Sequence, residues 1–427
     1  MNATDLCQKY PKFIYEKYSY EIIGDKLEIT YYYSLPFGHK FVHRLTFQNL
    51  KHLTRKNIDA RIIFSTGIIE AANYWKTTCS PVIEIQAGWL PIDEKWWQKL
   101  YLNGFSQYFY ENHIDYTPGN FLSFNFSGPE IKAPQVSFPE DSILLPIGGG
   151  KDSAVSGELL KSHFSLQPVI VYPASPAADK IAEMLSDTPA ITVTRNFDPH
   201  LMEMNNSGYL NGHVPYSAII GFLFLIAAQI DHHKYIVVSN ERSSDEGNVI
   251  YLGKPVNHQY SKSSEFEADF SSYIQSLGLK QGYFSFLRPL YELQIAQLFS
   301  RMPRYFDTFR SCNKGQKENM WCGHCPKCLS VAMALGPWTG EDVILKIFSG
   351  VNPLNNPDNA KILKEMTDPA EVKPFECITT TEEAQICLEF IEKGQTPGVR
   401  EFLSHRGPSV MPEKFTRILN SAIQNLS

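Results

Sequence analysis

Short runs of consecutive apolar residues alternate with helix-like segments between residues 142 and 239. Because these runs lack a polar residue at every second position, they are typical of strands that are buried on both faces. Strands that alternate with helices along the chain form a parallel sheet covered by helices on both sides. The predicted fold class is therefore α/β with a doubly wound parallel sheet. The predicted strands are 142–147, 168–172, 190–194 and 234–239, and the predicted helices are 154–163, 177–186 and 214–230.

The regions on either side of this segment have a different character. Strand-forming residues dominate from 14 to 47, and helical patterns follow at 57–76 and 93–110. The stretch 116–140 is rich in proline and glycine, which is typical of a linker. From about residue 343 the pattern is mostly helical. We therefore predict an N-terminal α+β domain (1–138), a central domain (139–335) and a mostly helical C-terminal region (336–427).

Composition and charge exclude several classes of protein. Hydrophobic residues make up 43% of the 427 residues and charged residues 20%, which excludes a disordered or fibrous chain. The net charge is −6, whereas proteins that bind duplex nucleic acid usually carry a basic excess, so we expect no nucleic-acid partner. No apolar run reaches the ~20 residues that span a bilayer. Since a signal-peptide pattern is also missing, we expect a cytoplasmic protein without membrane contact; the oligomeric state is left open.

A glycine-rich turn, Gly-Gly-Gly-Lys-Asp-Ser at 148–153, joins the first central strand to its helix. Its three glycines allow the backbone to turn tightly and to approach a ligand closely. The free N–H groups of the helix start, the Lys151 ammonium and the Ser153 hydroxyl favour a phosphate or diphosphate. Asp152 is unusual in such a site, and it either orients Lys151 or helps to hold Mg²⁺. The predicted nucleotide-binding residues are Gly148, Gly149, Gly150, Lys151, Asp152 and Ser153.

Two common phosphate motifs do not fit this turn. A Walker A loop requires glycine at the position of Leu145, and the dinucleotide fingerprint requires glycine at the position of Ser153. The turn instead resembles the S-G-G-x-D-S loop of the PP-loop ATP pyrophosphatases, with Gly148 in place of the first serine. That resemblance implies a PP-loop (adenine nucleotide alpha hydrolase-like) domain. It also implies cleavage of ATP between its α- and β-phosphates, with adenylation of a substrate oxygen.

Four of the eight cysteines lie close together in the pattern C-x9-C-x2-C-x2-C. Four thiolates satisfy a closed tetrahedral zinc site, and zinc is therefore the predicted metal. The tight C-x2-C-x2-C run also leaves open an iron–sulfur cluster, and unmetallated structural cysteines are the remaining interpretation. The predicted metal ligands are Cys312, Cys322, Cys325 and Cys328.

Several other segments are more polar than a loop requires. The segment 239–244 follows the fourth central strand, and in parallel sheets ligands bind at the carboxyl ends of the strands. Each segment taken alone also fits a helix cap, a turn or a solvated loop. Because they follow a predicted diphosphate loop, they together favour a functional site. The other segments of this kind are 211–215, 257–263 and 286–290.

The glycine turn, the cysteine cluster, the segments 211–215, 239–241 and 257–262, and the late run 373–377 together resemble one family. This is the family of UDP-N-acetylmuramoyl-L-alanyl-L-glutamate epimerases, MurL, and the resemblance covers most of the chain. It implies an isomerase that uses ATP, releases AMP and diphosphate, and converts the terminal L-glutamate of this nucleotide-sugar peptide to D-glutamate. The product serves peptidoglycan biosynthesis, and so cell wall biogenesis and cell shape.

The resemblance also assigns roles to single residues. The glycine turn would hold the leaving diphosphate, and Asp152 would help to place Mg²⁺. Cys377 is a further, more remote candidate for the base, although an inert buried cysteine is the simpler interpretation. The implied catalytic residues are Lys151, Asp152, Glu241, His213 and His258, and the implied substrate-binding residues are Lys262 and Arg288.

Two other functions stay open at this point. The first is a PP-loop enzyme that adenylates a base in tRNA or a 7-deazapurine, although the acidic net charge argues against binding to tRNA. The second is a nucleotide-binding sensor without turnover. The intact Lys-Asp-Ser set at 151–153 argues against the sensor, because simple binding does not require it.

Overall fold

The computed structural model describes residues 2–132, 140–316 and 318–426. The strands are β1 (Lys12–Ile23), β2 (Lys26–Ser34), β3 (Lys40–Gln48), β4 (Val82–Ile85), β5 (Ser123–Phe126), β6 (Glu140–Pro146), β7 (Leu166–Tyr172), β8 (Ile191–Asn196), β9 (His233–Val238), β10 (Val249–Tyr251), β11 (Lys254–Val256) and β12 (Gly282–Ser285). The helices are α1 (Ala3–Lys9), α2 (Ala60–Glu70), α3 (Ala72–Trp75), α4 (Glu94–Gly104), α5 (Ser106–Glu111), α6 (Lys151–Leu160), α7 (Pro176–Leu185), α8 (Pro199–Asn206), α9 (Tyr216–Ile230), α10 (Ser264–Ser276), α11 (Glu292–Ser300), α12 (Pro326–Thr339), α13 (Glu341–Ile347), α14 (Ala360–Thr367), α15 (Thr381–Lys393), α16 (Pro397–Ser404) and α17 (Glu413–Gln424).

Most of the strands belong to one large sheet with the order β12-β9-β6-β7-β8-β3-β2-β1-β4-β5. The five strands from β12 to β8 run parallel to one another. The pairs β8–β3, β3–β2 and β2–β1 are antiparallel, and β4 and β5 run parallel to β1 and therefore opposite to the central strands. The prediction of an α/β fold with a large, mostly parallel sheet is confirmed.

The central strands are buried on both faces, as their uninterrupted apolar sequences predict. Along β6, Ile143 and Leu145 pack into one hydrophobic core, and Leu144 packs into the other. Helix α9 covers the face of Leu144, and α6, α7, α11 and α12 cover the opposite face. The predicted central strands and helices are all present, whereas β12 is an additional strand that the sequence pattern did not reveal.

The N-terminal strands extend the same sheet, because β3 pairs with β8 along Arg44–Gln48 and Thr192–Asn196. A buried ion pair strengthens this junction, with Arg195 Nη2 of β8 at 2.6 Å from Glu70 Oε2 of α2. Burial alone would raise the pKa of Glu70, but Arg195 and then His43 outweigh it and lower the pKa to about 2. Both regions also share one hydrophobic core. The domain boundary predicted between residues 138 and 139 lies outside the described residues.

Two details of the sequence prediction need correction. The stretch 116–140 is not entirely a linker, because β5 lies within it and pairs with β4. Residues 133–139 of that stretch lie outside the described residues. The helix predicted at 93–110 is divided into α4 and α5, whose junction is Phe105. The aromatic residues of this segment are core residues, since Trp97, Tyr101 and Phe105 are buried.

The last part of the chain is helical, with α13 to α17 and no strand among residues 341–426. These helices pack on the core that also contains α6, α11 and α12. Between α14 and α15 the chain passes along the segment 373–380, which returns to the carboxyl ends of the central strands. Within the described ranges, we find no helix long and apolar enough to cross a membrane.

Candidate active site

A cavity of about 290 Å³ opens where the strand order reverses, at the carboxyl ends of β6 and β9. The chain leaves β6 toward β7 on one side and leaves β9 toward β12 on the other, so the loops after these strands diverge. Such a switch point is where open parallel sheets bind their ligands. The residues that line the cavity are Pro146, Gly148, Gly150, Asp152, Ser153, Ser217, Ile220, Phe224, Val238, Ser239, Asn240, Lys262, Tyr283, Arg310, Ser311, Asn313, Gln316 and Lys327.

The glycine turn forms one wall of this cavity, and its geometry requires glycine. Gly149 has φ +88°, and a Cβ there would lie 3.0 Å from the Ala178 nitrogen. Gly150 is the N-cap of α6, and a Cβ on it would lie 3.0 Å from Ser311 Oγ. The first N–H groups of α6 therefore stand at the cavity wall without side chains in the way. This arrangement suits a phosphate or diphosphate.

Lys151 lies beneath the turn and is not among the residues that line the cavity. It is only 2% exposed, and its Nζ lies 2.7 Å from Glu292 Oε1 and also contacts the Asp152 carboxylate. Burial alone would lower the pKa of Lys151, but Asp152, Glu292 and Glu241 outweigh it and the pKa is raised. The Lys151 ammonium therefore stays charged and stabilises the turn from its buried side.

Glu292, at the start of α11, is a site residue that the sequence did not reveal. Its side chain is buried, and burial together with the neighbouring Glu241 carboxylate raises the pKa of Glu292 to about 8. Glu241 Oε2 is also buried and accepts no hydrogen bond from another described group. Glu292 therefore lies between the Glu241 carboxyl, which raises its pKa, and the Lys151 ammonium, which lowers it. In the sequence Glu292 is only an acidic residue in the first turn of a helix, which is common.

Lys262, Cys377 and His258 meet beside the cavity. The Lys262 ammonium donates to Cys377 Sγ at 3.1 Å, and His258 Nε2 lies 3.8 Å from the same sulfur. Burial alone would raise the pKa of Cys377, but Lys262 and then Lys327 outweigh it, so the pKa is lowered. Cys377 also raises the pKa of Lys262. Lys262, which lines the cavity, therefore favours the thiolate form of Cys377.

The two predicted histidines lie together, with the ring centroids of His213 and His258 6.2 Å apart. Burial and then the proximity of His258 lower the pKa of His213 to about 3. Burial and then Lys262 lower the pKa of His258 to about 3. Both rings are therefore neutral near pH 7. The His258 ring is oriented by Asn248, whose Oδ1 lies 3.0 Å from Nδ1.

Arg288 lies behind the site and does not line the cavity. It is 3% exposed, and its guanidinium donates to the Glu241 carbonyl at 2.8 Å and to Ser244 Oγ at 2.7 Å. It also contacts the Lys262 carbonyl and pairs with Glu267 at 3.1 Å. Arg288 thus fixes the loops that carry Glu241 and Lys262.

The cations that line the cavity are Lys262, Arg310 and Lys327. Of these, only Lys262 is a binding residue predicted from the sequence. No described carboxylate lies within ion-pair distance of Lys327, which leaves its ammonium available to an anion. The sequence could have indicated Lys327, because it lies within the Cys-Pro-Lys-Cys run, but that run was interpreted only as a set of metal ligands.

The predicted cysteine ligands converge on one point. The Sγ atoms of Cys312, Cys322, Cys325 and Cys328 all lie within 4.8 Å of one another, and could hold a metal ion. Backbone N–H groups of Gly315 and Cys322 donate to Cys312 Sγ at 3.1 and 3.3 Å. The residues just before Cys312 also support the cavity wall, because the backbone N–H of Arg310 donates to the Gly149 carbonyl at 2.8 Å.

The chain was compared with known protein families. A family model described as the MurL N-terminal domain matches residues 5–286, which is more than half of the chain. The chain belongs to the MurL family. A second model, the MurL C-terminal domain, matches residues 308–411. The first match includes the glycine turn, Glu241 and His258, and the second includes the four clustered cysteines and Cys377. The candidate active site is therefore assembled from both MurL domains.

Three curated MurL relatives are named UDP-N-acetyl-alpha-D-muramoyl-L-alanyl-L-glutamate epimerase. The protein from Salinispora tropica is 32% identical over 355 residues, which is 80% of this chain and 75% of that protein. The protein from a Micromonospora species is 32% identical over 306 residues, 68% of this chain and 66% of that protein. The protein from Xanthomonas oryzae pv. oryzae is 30% identical over 357 residues, 81% and 78% respectively. No solved structure matches the chain significantly.

Proposed function

We propose that this protein is an ATP-dependent epimerase that inverts the terminal L-glutamate of UDP-N-acetylmuramoyl-L-alanyl-L-glutamate, with release of AMP and diphosphate. The observation that carries the proposal is the glycine turn at the start of α6, which faces a cavity lined by three cations. The names of the MurL relatives support the substrate and the reaction. The turn supports membership of the PP-loop ATP pyrophosphatases. Such an enzyme would act in the cytoplasm on a small nucleotide-sugar peptide, without nucleic acid or membrane.

Adenylation solves the chemical difficulty of this epimerisation. A free carboxylate makes its Cα–H very weakly acidic, because the carbanion would form next to a negative charge. Transfer of AMP to the carboxylate removes that charge and provides an electron sink. One group can then remove the Cα proton, and another can return a proton to the opposite face. Hydrolysis of the activated ester completes the reaction.

The nucleotide would bind with its phosphates at the turn. The backbone of Gly148–Gly150, the N-terminus of α6 and the Ser153 hydroxyl suit the diphosphate, and Lys327 and Arg310 supply opposing positive charge. Lys151 holds the turn and the Asp152 carboxylate in place. Asp152 lines the cavity with carboxylate oxygen, the ligand type that Mg²⁺ prefers, and bound Mg²⁺ would neutralise phosphate charge.

The proton-transfer candidates are the neutral imidazoles of His213 and His258, the Cys377 sulfur next to Lys262, and the Glu241 carboxyl group near Lys151. The family resemblance implies that Arg288 binds the substrate. We propose instead that Arg288 positions the Glu241 and Lys262 loops, because its donors are already engaged.

Formation of AMP tests this proposal directly. With ATP, Mg²⁺ and the L-glutamyl substrate, we expect AMP and diphosphate in amounts that match the D-glutamyl product, and no AMP without the substrate. Asp152→Asn should reduce AMP formation strongly, whereas Lys161→Ala, a change on the far end of α6, should not. Formation of ADP without AMP would contradict adenylation. AMP formation without inversion would instead favour a PP-loop enzyme that modifies tRNA or a deazapurine base.

We propose zinc as the metal of the cysteine cluster. Tetrahedral Zn–S bonds of about 2.3 Å place the sulfur atoms about 3.8 Å apart. The observed Sγ distances of 3.9, 3.8 and 3.5 Å are close to this value. Four thiolates this close together enclose a single ion and leave little room for a cluster of several iron and sulfide atoms. Zinc bound here would fix the loop that supports the glycine turn.

The metal prediction is checked by elemental analysis of the purified protein. We expect one zinc per chain, loss of that zinc in Cys325→Ser, and lower stability of the C-terminal half in this variant. Cys7→Ser is the matched control, because Cys7 is partly exposed and outside the cluster. Iron with sulfide and absorption near 400 nm (about the range of iron–sulfur charge transfer) would overturn the assignment to zinc.

A further inference from the structure

Cys377 has more polar neighbours than a base that only removes the Cα proton requires. Its Sγ accepts from the Lys262 ammonium at 3.1 Å and lies 3.8 Å from His258 Nε2, while Asn248 Oδ1 lies 3.0 Å from His258 Nδ1. A thiol, an imidazole next to it and an amide that orients the imidazole are the parts of an activated cysteine nucleophile. The ammonium adds a charge that stabilises the thiolate.

The segment that carries Cys377 is tied to the site from both sides. Asn248 Nδ2 donates to the carbonyls of Lys373 and Pro374 at 3.3 and 3.0 Å, so one side chain orients both His258 and this segment. Lys373 also forms an ion pair with Glu246. Such anchoring, from residues more than 100 positions away in the chain, fixes the sulfur next to Lys262. By contrast Cys387 is fully buried, and burial raises its pKa, as expected of an inert core thiol.

We propose that Cys377 attacks the glutamyl adenylate and carries the glutamyl group as a thioester while its Cα is inverted. This inference rests on the adenylation proposed above. Lys262 lines the same cavity as Asp152 and the glycine turn, so the Cys377 sulfur that it contacts is adjacent to the place where the adenylate would form.

The step balances without any further reactant. The Cys377 Sγ–C bond forms as the C–O bond to the phosphate of AMP breaks, and AMP leaves with that electron pair. After inversion at Cα, water adds to the thioester carbonyl and the C–S bond breaks. The products are the glutamate carboxylate, a proton and the thiolate of Cys377. The net reaction remains ATP plus water to AMP and diphosphate, coupled to inversion.

A thioester serves the inversion better than an oxygen ester. Sulfur donates electron density to the carbonyl poorly, so the Cα proton of a thioester is more acidic. The covalent bond also keeps the glutamyl group in place after AMP has left. His258 and His213, whose ring centroids lie 6.2 Å apart, are candidates for the group that removes the Cα proton and, once it has been protonated, returns it.

Intact-protein mass spectrometry after rapid acid quenching tests the thioester on the wild-type enzyme. With ATP and substrate we expect an adduct of the substrate mass minus one water, located on Cys377 by peptide mapping and released by hydroxylamine. Cys377→Ala should give no adduct and no inversion, although some AMP is still released as the adenylate hydrolyses. Cys7→Ala, a change at another partly exposed cysteine, should keep the adduct and the inversion.

The outcomes separate this inference from the proposed function. If the wild-type enzyme releases AMP and inverts glutamate but never carries the adduct, Cys377 is not a nucleophile and its role is that of a base or a structural residue. Inversion by Cys377→Ala at the wild-type rate would overturn the inference as well. If the wild-type enzyme releases no AMP at all, adenylation fails and the thioester fails with it.

Discussion

In D₂O with ATP, the L-glutamyl substrate is expected to yield a D-glutamyl product that carries deuterium at Cα. The proton that returns to the opposite face comes from a group that exchanges with solvent, so the label enters during inversion. Without ATP the label should be absent, because the unactivated carboxylate keeps the Cα proton too weakly acidic. NMR or mass spectrometry of the product measures the incorporation.

Variants divide the steps of this reaction. Loss of the proton-removing group, among Glu241, His213, His258 and Cys377, should stop exchange while some AMP is still released, since adenylation comes first. General-base contributions of this kind are typically worth about 10²–10⁴-fold in rate. If all four substitutions leave the deuterium incorporation intact, the set of catalytic residues is wrong even though the family assignment stands.

Replacement of Lys151 by alanine is expected to destabilise the fold by about 3–5 kcal/mol, the usual cost of removing one partner of a buried ion pair. The buried Glu292 carboxyl would lose the ammonium 2.7 Å away, and Glu241 and Asp152 would lose their neighbouring positive charge. Because the turn depends on this ammonium, the rate of AMP formation should also fall. Urea denaturation and initial rates measure the two effects.

A second substitution separates stability from catalysis. Lys151→Ala combined with Glu292→Gln removes a carboxyl together with its partner, so most of the lost stability should return while AMP formation stays low. Lys161→Ala provides the matched control, since Lys161 is a partly exposed lysine in an ordinary pair with Glu158. Wild-type stability of Lys151→Ala would contradict the buried ion pair as the support of the turn.

The placement of Lys151 also changes how the turn is understood. The sequence suggested that this cation meets the diphosphate, whereas in the structure it is covered by the turn and faces Glu292. The positive charge that faces the cavity comes from Lys262, Arg310 and Lys327. The sequence therefore predicted the turn that lines the cavity, but it did not identify Arg310 and Lys327 as cations of the same cavity.

The sequence by itself determined the central sheet, the glycine turn and the cysteine cluster. Consecutive apolar residues such as Ile143, Leu144 and Leu145 predict a strand that is buried on both faces. The consecutive glycines predict a tight turn, in which Gly149 has φ +88°. The spacing of the cysteines predicts a cluster that could hold a metal ion, because most of these cysteines lie within one short loop. Each of these features depends on residues that are close together in the chain.

Only the tertiary structure decided which distant residues share an environment. Pairing of β3 with β8 extends the sheet, and no local pattern in β3 specifies that partner. Glu292 becomes a site residue because α11 brings its carboxyl against Lys151 and Glu241. Cys377 changes from an unremarkable thiol to the partner of Lys262, which is 115 positions away. The local sequence pattern predicts whether a side chain is buried. The charged groups around that side chain come from distant segments that only the folded chain brings together.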